Sequence, residues 1–128
     1  MDDLNHTIDI ASSIVDAMPQ DHLDQAGRLN NLGRMLNTRF EQTGSMDDLN
    51  RAVNVASSVV DATPQDHPDR AGRLSTFGSW LGIRFEWTGL IDDLNHAIDI
   101  ASNAVDATPQ DHSDRAGQLS NLGNLLDT

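Results

Sequence analysis

The sequence predicts an all-α protein, an α-solenoid of antiparallel helix pairs with about six helices, and three observations predict it. The pattern Pro-Gln-Asp-His-x-Asp-x-Ala-Gly-x-Leu occurs at 19–29, 64–74 and 109–119, a constant 45 residues apart. A fixed period of this length marks an array in which each unit buries its apolar face only against its neighbours. Apolar residues between these marks recur at the helical spacing of 3.6, and proline and glycine punctuate every copy at the same places. The 128 residues are therefore read as one array, with copies at 1–45, 46–90 and 91–128, the last of them truncated.

Each copy opens on a short helix. In the first, from 2 to about 18, Leu4, Ile8, Ala11, Ile14 and Val15 make an apolar stripe, matched in the second by Leu49, Ala52, Val53, Ala56, Val59 and Val60. Paired aspartates stand at its start, where negative charge suits the positive end of the helix dipole. Pro19, Pro64 and Pro109 stop it.

A longer helix follows. Asp21, Asp66 and Asp111 stand at N-cap positions with Asp24, Asp69 and Asp114 three residues on, and Pro68 falls in the expected first turn of the middle copy. The expected core face is Leu29, Leu32, Gly33, Leu36 and Phe40, matched by Leu74, Phe77, Gly78, Leu81 and Phe85. The helix runs to about Thr43, roughly 20 residues and about 30 Å. Gly44 and Gly89 lie just past its end, suited to a left-handed closing turn. The third long helix is cut off at Thr128.

Composition narrows the function classes. Twenty acidic residues against eight basic ones, all arginine, give a net charge of −12, a field that repels nucleic acid and anionic membranes. The absence of cysteine excludes disulfides and thiolate metal sites. No apolar run approaches the ~20 residues that span a bilayer, and the first residues carry no charged-then-apolar leader. A cytoplasmic, soluble protein with no nucleic-acid or membrane partner and no cofactor is expected.

The stretch 29–36, Leu-Asn-Asn-Leu-Gly-Arg-Met-Leu, resembles the first helix of the tetratricopeptide repeat (TPR), W-x2-L-G-x2-Y, with Leu29, Leu32, Gly33 and Leu36 on its places. Ala52, Ala56, Val59 and Pro64 resemble the second helix and closing proline, with Ala56 in place of the usual aromatic. The match needs about seven extra residues between the helices and about four before the next unit, beyond the 34-residue norm. Asp66-His67-Pro68-Asp69 ahead of Leu74 resembles the longer repeats of kinesin light chains, and the near-identity of the copies resembles arrays of fungal NLR-type and CHAT-domain proteins. In that phase the chain begins with a second helix, holds two complete units and ends in a first helix.

The resemblance implies a protein-binding or scaffolding module, a piece of a larger array, that takes a peptide or protein segment on the face lined by the long helices. Opposite the expected core, that face carries Asn31, Arg34 and Thr38, then Thr76, Ser79, Ile83 and Trp87, then Asn121 and Asn124. Asparagines there resemble those that bond a ligand's backbone in peptide-binding TPRs. The lysines of the clamp for acidic chaperone tails are absent. Trp80, Ile83 and Trp87 stand where the first copy has Met35, Thr38 and Gln42, and with Leu90 in place of Ser45 they form a candidate hot spot. The plainer reading packs Trp80, aligned with Met35 and Leu125, between repeats.

Other constellations read as structure. Asp66-His67-x-Asp69 has metal-ligand residue types, but it recurs in every copy and capping gives the aspartates sufficient work, with Asp66–Arg70 and Asp69–Arg73 as i,i+4 pairs. His6 and His96 align with Arg51 and are expected on the solvated helix surface. Ser57 and Ser58 lie mid-helix with no base at local spacing, so no enzyme activity is expected. Gly33, Gly78 and Gly123 imply close approach of a paired helix, and Gly27, Gly72 and Gly117, on the polar side, imply room for a neighbouring helix or an extended ligand. The rival function is homo-oligomerisation through open array ends, exposing Leu4, Ile8 and Ile14 at one end and Leu122 and Leu126 at the other.

Overall fold

The computed structural model describes residues 2–17, 25–108 and 115–127, with the backbone alone for Asp2 and Asp3. Among these residues there are six helices and no strand: α1 (Asp2–Ala17), α2 (Gln25–Thr43), α3 (Met46–Ala62), α4 (Arg70–Thr88), α5 (Ile91–Asp106) and α6 (Arg115–Leu126). The all-α class and the alternation of short and long helices follow the periodicity. None of the described helices is long and apolar enough to cross a membrane. The chain divides into two compact units, Met1–Thr63 with α1 to α3 and Pro64–Thr128 with α4 to α6.

The long helices end where glycine was expected to end them. Gly44 and Gly89 adopt φ of 73° and 72°, a left-handed turn that costs glycine little, and their N–H groups donate to Phe40 O and Phe85 O at 2.7 Å. The threonine before each glycine folds back on its own helix. Thr43 Oγ1 donates to Arg39 O, and Thr88 Oγ1 to Arg84 O, while each hydroxyl accepts the N–H of the residue two further on. The chain is thereby turned within two residues into the next short helix.

An ion pair then fixes how that helix lies. Arg39 Nε and Nη2 donate to Asp48 Oδ2 and Oδ1 at 2.9 and 2.7 Å, and Arg84 grips Asp93 in the same way at 3.0 and 2.8 Å. Both aspartates are buried. Planar guanidinium against carboxylate makes two parallel bonds, so the pair sets an angle as well as a distance. Asp48 raises the pKa of Arg39, first through the hydrogen bond and then through its charge, against an opposing effect of burial. Arg39 Nη1 also donates to Asn5 Oδ1 of α1.

Within unit 2, α4 and α5 run antiparallel. A Cβ on Gly78 of α4 would stand 3.5 Å from Ala97 O and 3.4 Å from Ile100 Cγ2, while Arg84 reaches Asp93 nearer the turn. Small residues on both sides let the helices approach closely, the reason expected for glycine here. The seam is apolar: Leu74, Phe77 and Leu81 of α4 and Leu94, Ala101 and Val105 of α5 are all buried where the two helices pack. Burying one such side chain stabilises by roughly 1.5–3 kcal/mol, so the seam outweighs the ion pair as a source of stability. In unit 1, α2 and α3 pack against each other with the equivalent Leu32, Leu36, Leu49, Ala56 and Val60 buried.

The first helical turn of α4 differs from expectation. Asp66 is not its N-cap: the helix starts at Arg70, behind Asp69, whose side chain makes no cap hydrogen bond. Pro68 disfavours helical backbone at His67, so the chain makes two turns instead, with His67 N–H donating to Pro64 O and Arg70 N–H to His67 O. Pro68 accordingly lies in a turn and not in the helix. The Asp69–Arg73 pair is present at 3.8 Å, with a largely exposed carboxylate. The corresponding expectations for Pro19, Asp21, Asp24, Pro109, Asp111 and Asp114 lie outside the described residues.

Thr63, in extended conformation before Pro64, closes α3, and its buried hydroxyl donates to Val59 O at 2.6 Å. Thr108 does the same to Ala104 O at the end of α5. Arg115, at the start of α6, donates from Nη1 to Val105 O of α5 and to Thr108 O just beyond that helix, at 2.9 and 2.8 Å. That contact pins α6 to α5.

If the arginine–aspartate pair sets the helix hairpin, Arg84→Ala leaves Asp93 buried and unpaired, and urea unfolding followed by tryptophan fluorescence should show a loss of about 2–4 kcal/mol. In an Asp93→Asn background the same substitution should cost less than about 1 kcal/mol. Equal costs in both backgrounds contradict the pairing.

Candidate functional site: a small-residue cleft between two long helices

Within unit 2, α5 packs against both α4 and α6, and α4 and α6 also touch each other. The two long helices run in the same direction, since Gly82 faces Leu125 (a Cβ there would lie 3.1 Å from Leu125 Cδ2) while Gly72 and Gly117 share a cleft further towards their starts. The cleft holds about 320 Å³ and is lined by Gly72, Ser75 and Ser79 of α4 and by Gly117, Gln118 and Asn121 of α6. On α4 the spacing i, i+3, i+7 puts the three small residues on one stripe. Nothing lies within 4 Å of a Cβ placed on Gly72 or Gly117. No described helix therefore comes close to these glycines, and open space is what they provide.

The lining is rich in hydrogen-bonding groups and carries no charge. Ser75 and Ser79 supply hydroxyls, and Gln118 and Asn121 supply primary amides that both donate and accept. Gln118 Oε1 is shielded from solvent and has no hydrogen-bond partner among the described residues. An acceptor in that state costs free energy until a donor reaches it. Thr76, beside the cleft, spends its hydroxyl on Gly72 O.

Of the residues expected to bind a partner, the structure brings Ser79 and Asn121 together in this cleft. Asn31, Arg34 and Thr38 lie exposed on α2 in unit 1, with Thr38 Oγ1 donating to Arg34 O. Thr76 and Ile83 are half-buried on α4, and Asn124 is exposed on α6; none of them lines the cleft. Sequence reasoning missed Ser75 and Gln118. The signal for the cleft was present in Gly72 and Gly117, repeated at one register despite a helix-propensity cost of about 1 kcal/mol.

The two tryptophans part company. Trp80 is 6% exposed and belongs to the core, whereas Trp87 is 58% exposed at the end of α4, beside exposed Leu90 and Ile91 across the turn. His67 is a turn residue whose Nδ1 accepts Asp69 N–H at 3.0 Å. Among the described residues no group of three histidine or carboxylate side chains converges. His96 is exposed, as expected, yet its ring stands edge-on to buried Phe77 with centroids 5.3 Å apart. A second, wider cleft of about 540 Å³ lies in unit 1 among Val15, Asp16, Gln25, Leu29, Ser58 and Asp61.

Compared with known proteins, the chain matches no protein-family model and no curated protein.

The tryptophan environments can be checked by acrylamide quenching. Trp87→Phe should leave a blue-shifted emission that resists quenching, while Trp80→Phe should leave a red-shifted, readily quenched one. Similar quenching of both variants contradicts the assignment.

Proposed function

We propose that the chain is an interaction module, an α-solenoid of TPR type that holds an extended segment of another protein against its long helices. The observation that carries this is the cleft between α4 and α6, floored by glycines and edged with amides and hydroxyls. An extended peptide brings unpaired N–H and C=O groups along its length. A glycine floor admits its backbone, the Asn121 amide pairs with a peptide unit, and Gln118 Oε1 accepts the donor it lacks. Two packed helices present these groups with little ordering cost on binding. The net charge of −12 disfavours acidic segments and favours neutral or basic ones. The work done is binding: a serine in the cleft has no base among the lining residues to activate it. Trp87 and Leu90 extend the contact beyond the end of the cleft.

Selection of a displayed random-peptide library on the immobilised chain tests this. Selected peptides should lose about tenfold or more in affinity for Ser79→Trp, which fills the cleft, and keep their affinity for Asn54→Trp on the exposed side of the short helix α3. Peptides that bind Ser79→Trp undiminished, or a library that yields none, contradict the reading.

A further inference from the structure

The repeat lets each helix be compared with its counterparts at the same register, and at two places the counterpart is covered while the helix itself is not. In α5 the face against α4 is made by Ala97, Ile100, Ala101 and Ala104: the first three come within 3.4–3.6 Å of a Cβ at Gly78, and all four are buried. The α1 residues 90 positions earlier include Ile10 and Ile14, and these are 48% and 40% exposed against 9% and 1% for Ile100 and Ala104. Ile8, named from sequence as part of this open end, is instead buried, and Leu4 is half-buried. The exposed stripe of α1 is therefore one helical step away from the expected one. Between them Ile10 and Ile14 edge a shallow, mainly apolar groove with His6, Asp9, Ser13 and Ala17.

The second place is α6. Leu119, Gly123 and Leu126 stand at the register of Leu74, Gly78 and Leu81, which α5 covers in α4. Leu119 and Leu126 are 48% and 62% exposed where Leu74 and Leu81 are 3% and 1%. Gly123 has nothing within 4 Å of a Cβ position. So α6 presents the surface that a short helix occupies on α4, and α1 presents the surface that a short helix turns towards a long one. The two faces are complementary because the sequence has built the same junction twice within itself, as α2 with α3 and α4 with α5.

We propose that these faces dock on each other between molecules: α1 of a second copy of this chain lies antiparallel along α6, placed as α5 lies on α4, with Ile10 and Ile14 over Gly123 and between Leu119 and Leu126. This goes beyond the peptide cleft and does not depend on it, since the cleft lining shares no residue with either face. The interface is heterologous. Each copy carries one donor helix and one acceptor helix, so association continues from copy to copy unless the geometry closes a ring.

Two substitutions separate the faces. Ile14→Asp charges the donor at an exposed site, and Gly123→Phe blocks the acceptor by extending a side chain into open space, where it also improves helix propensity. In sedimentation of the full chain up to ~1 mM, the wild type should rise with concentration above the 13.9 kDa of one chain. Each variant alone should stay at that mass, with helical circular dichroism unchanged. Mixed one to one, the two variants should form a species of two chains and nothing larger, because the mixture contains one intact donor and one intact acceptor. A wild type that stays at one chain, variants that associate as it does, or a mixture that stays at one chain overturns the proposal.

Discussion

The arginine–aspartate clasp across each Thr-Gly turn is the constraint on which the rest of the structure depends. Glycine at φ near 72° reverses the chain but leaves the next helix free to swing. Two parallel hydrogen bonds from one guanidinium to one buried carboxylate remove that freedom, for Arg39 with Asp48 and again for Arg84 with Asp93. Desolvating both ions cancels most of their attraction, so the clasp contributes orientation more than stability. The apolar seam supplies the stability once the angle is set. With its pKa raised, Arg39 contributes fully below the ordinary arginine value and ceases to do so only as pH rises through the higher folded value, so the clasp on the arginine side is closed at neutral pH.

From this hairpin the surfaces follow. Once α5 is locked on α4, its other side is left for α6, and Arg115 completes the contact by bonding Val105 O of α5 and Thr108 O just past it. Two long helices are then held side by side with small residues between them, and a cleft opens where Gly72 and Gly117 have no side chain to fill it. The same logic leaves α1 and α6 each with one face unmatched.

Helix order, the closing glycines and most of the core were legible in the sequence because they depend on period and on glycine's backbone, which are local. Leu32, Leu36, Phe40, Leu49 and Val53 are buried as their spacing required. The clasp was not legible as a clasp: Asp48 and Asp93 read as helix-start charges, and only the arginines nine residues earlier, at the same 45-residue register, pointed elsewhere. Asp66 misled because a capping residue and a turn residue look alike until Pro68 is allowed to break the backbone at His67. Ile14 was rightly named and Ile8 wrongly, since a stripe of period 3.6 does not say which edge of it a neighbour covers. Ser79 and Asn121, of the face expected to bind, line the cleft, whereas Ser75 and Gln118 join it through the placing of α4 beside α6, which no single helix encodes.

The account rests on the long-then-short helix hairpin as the unit that holds together, and residue-resolved native-state hydrogen exchange tests it most directly. Amides of α4 and α5 should open together with one shared, highest free energy, as should those of α2 and α3, while α6 and α1 exchange ahead of them. Protection that is uniform through all six helices, or α5 opening with α6 while α4 stays closed, would contradict it.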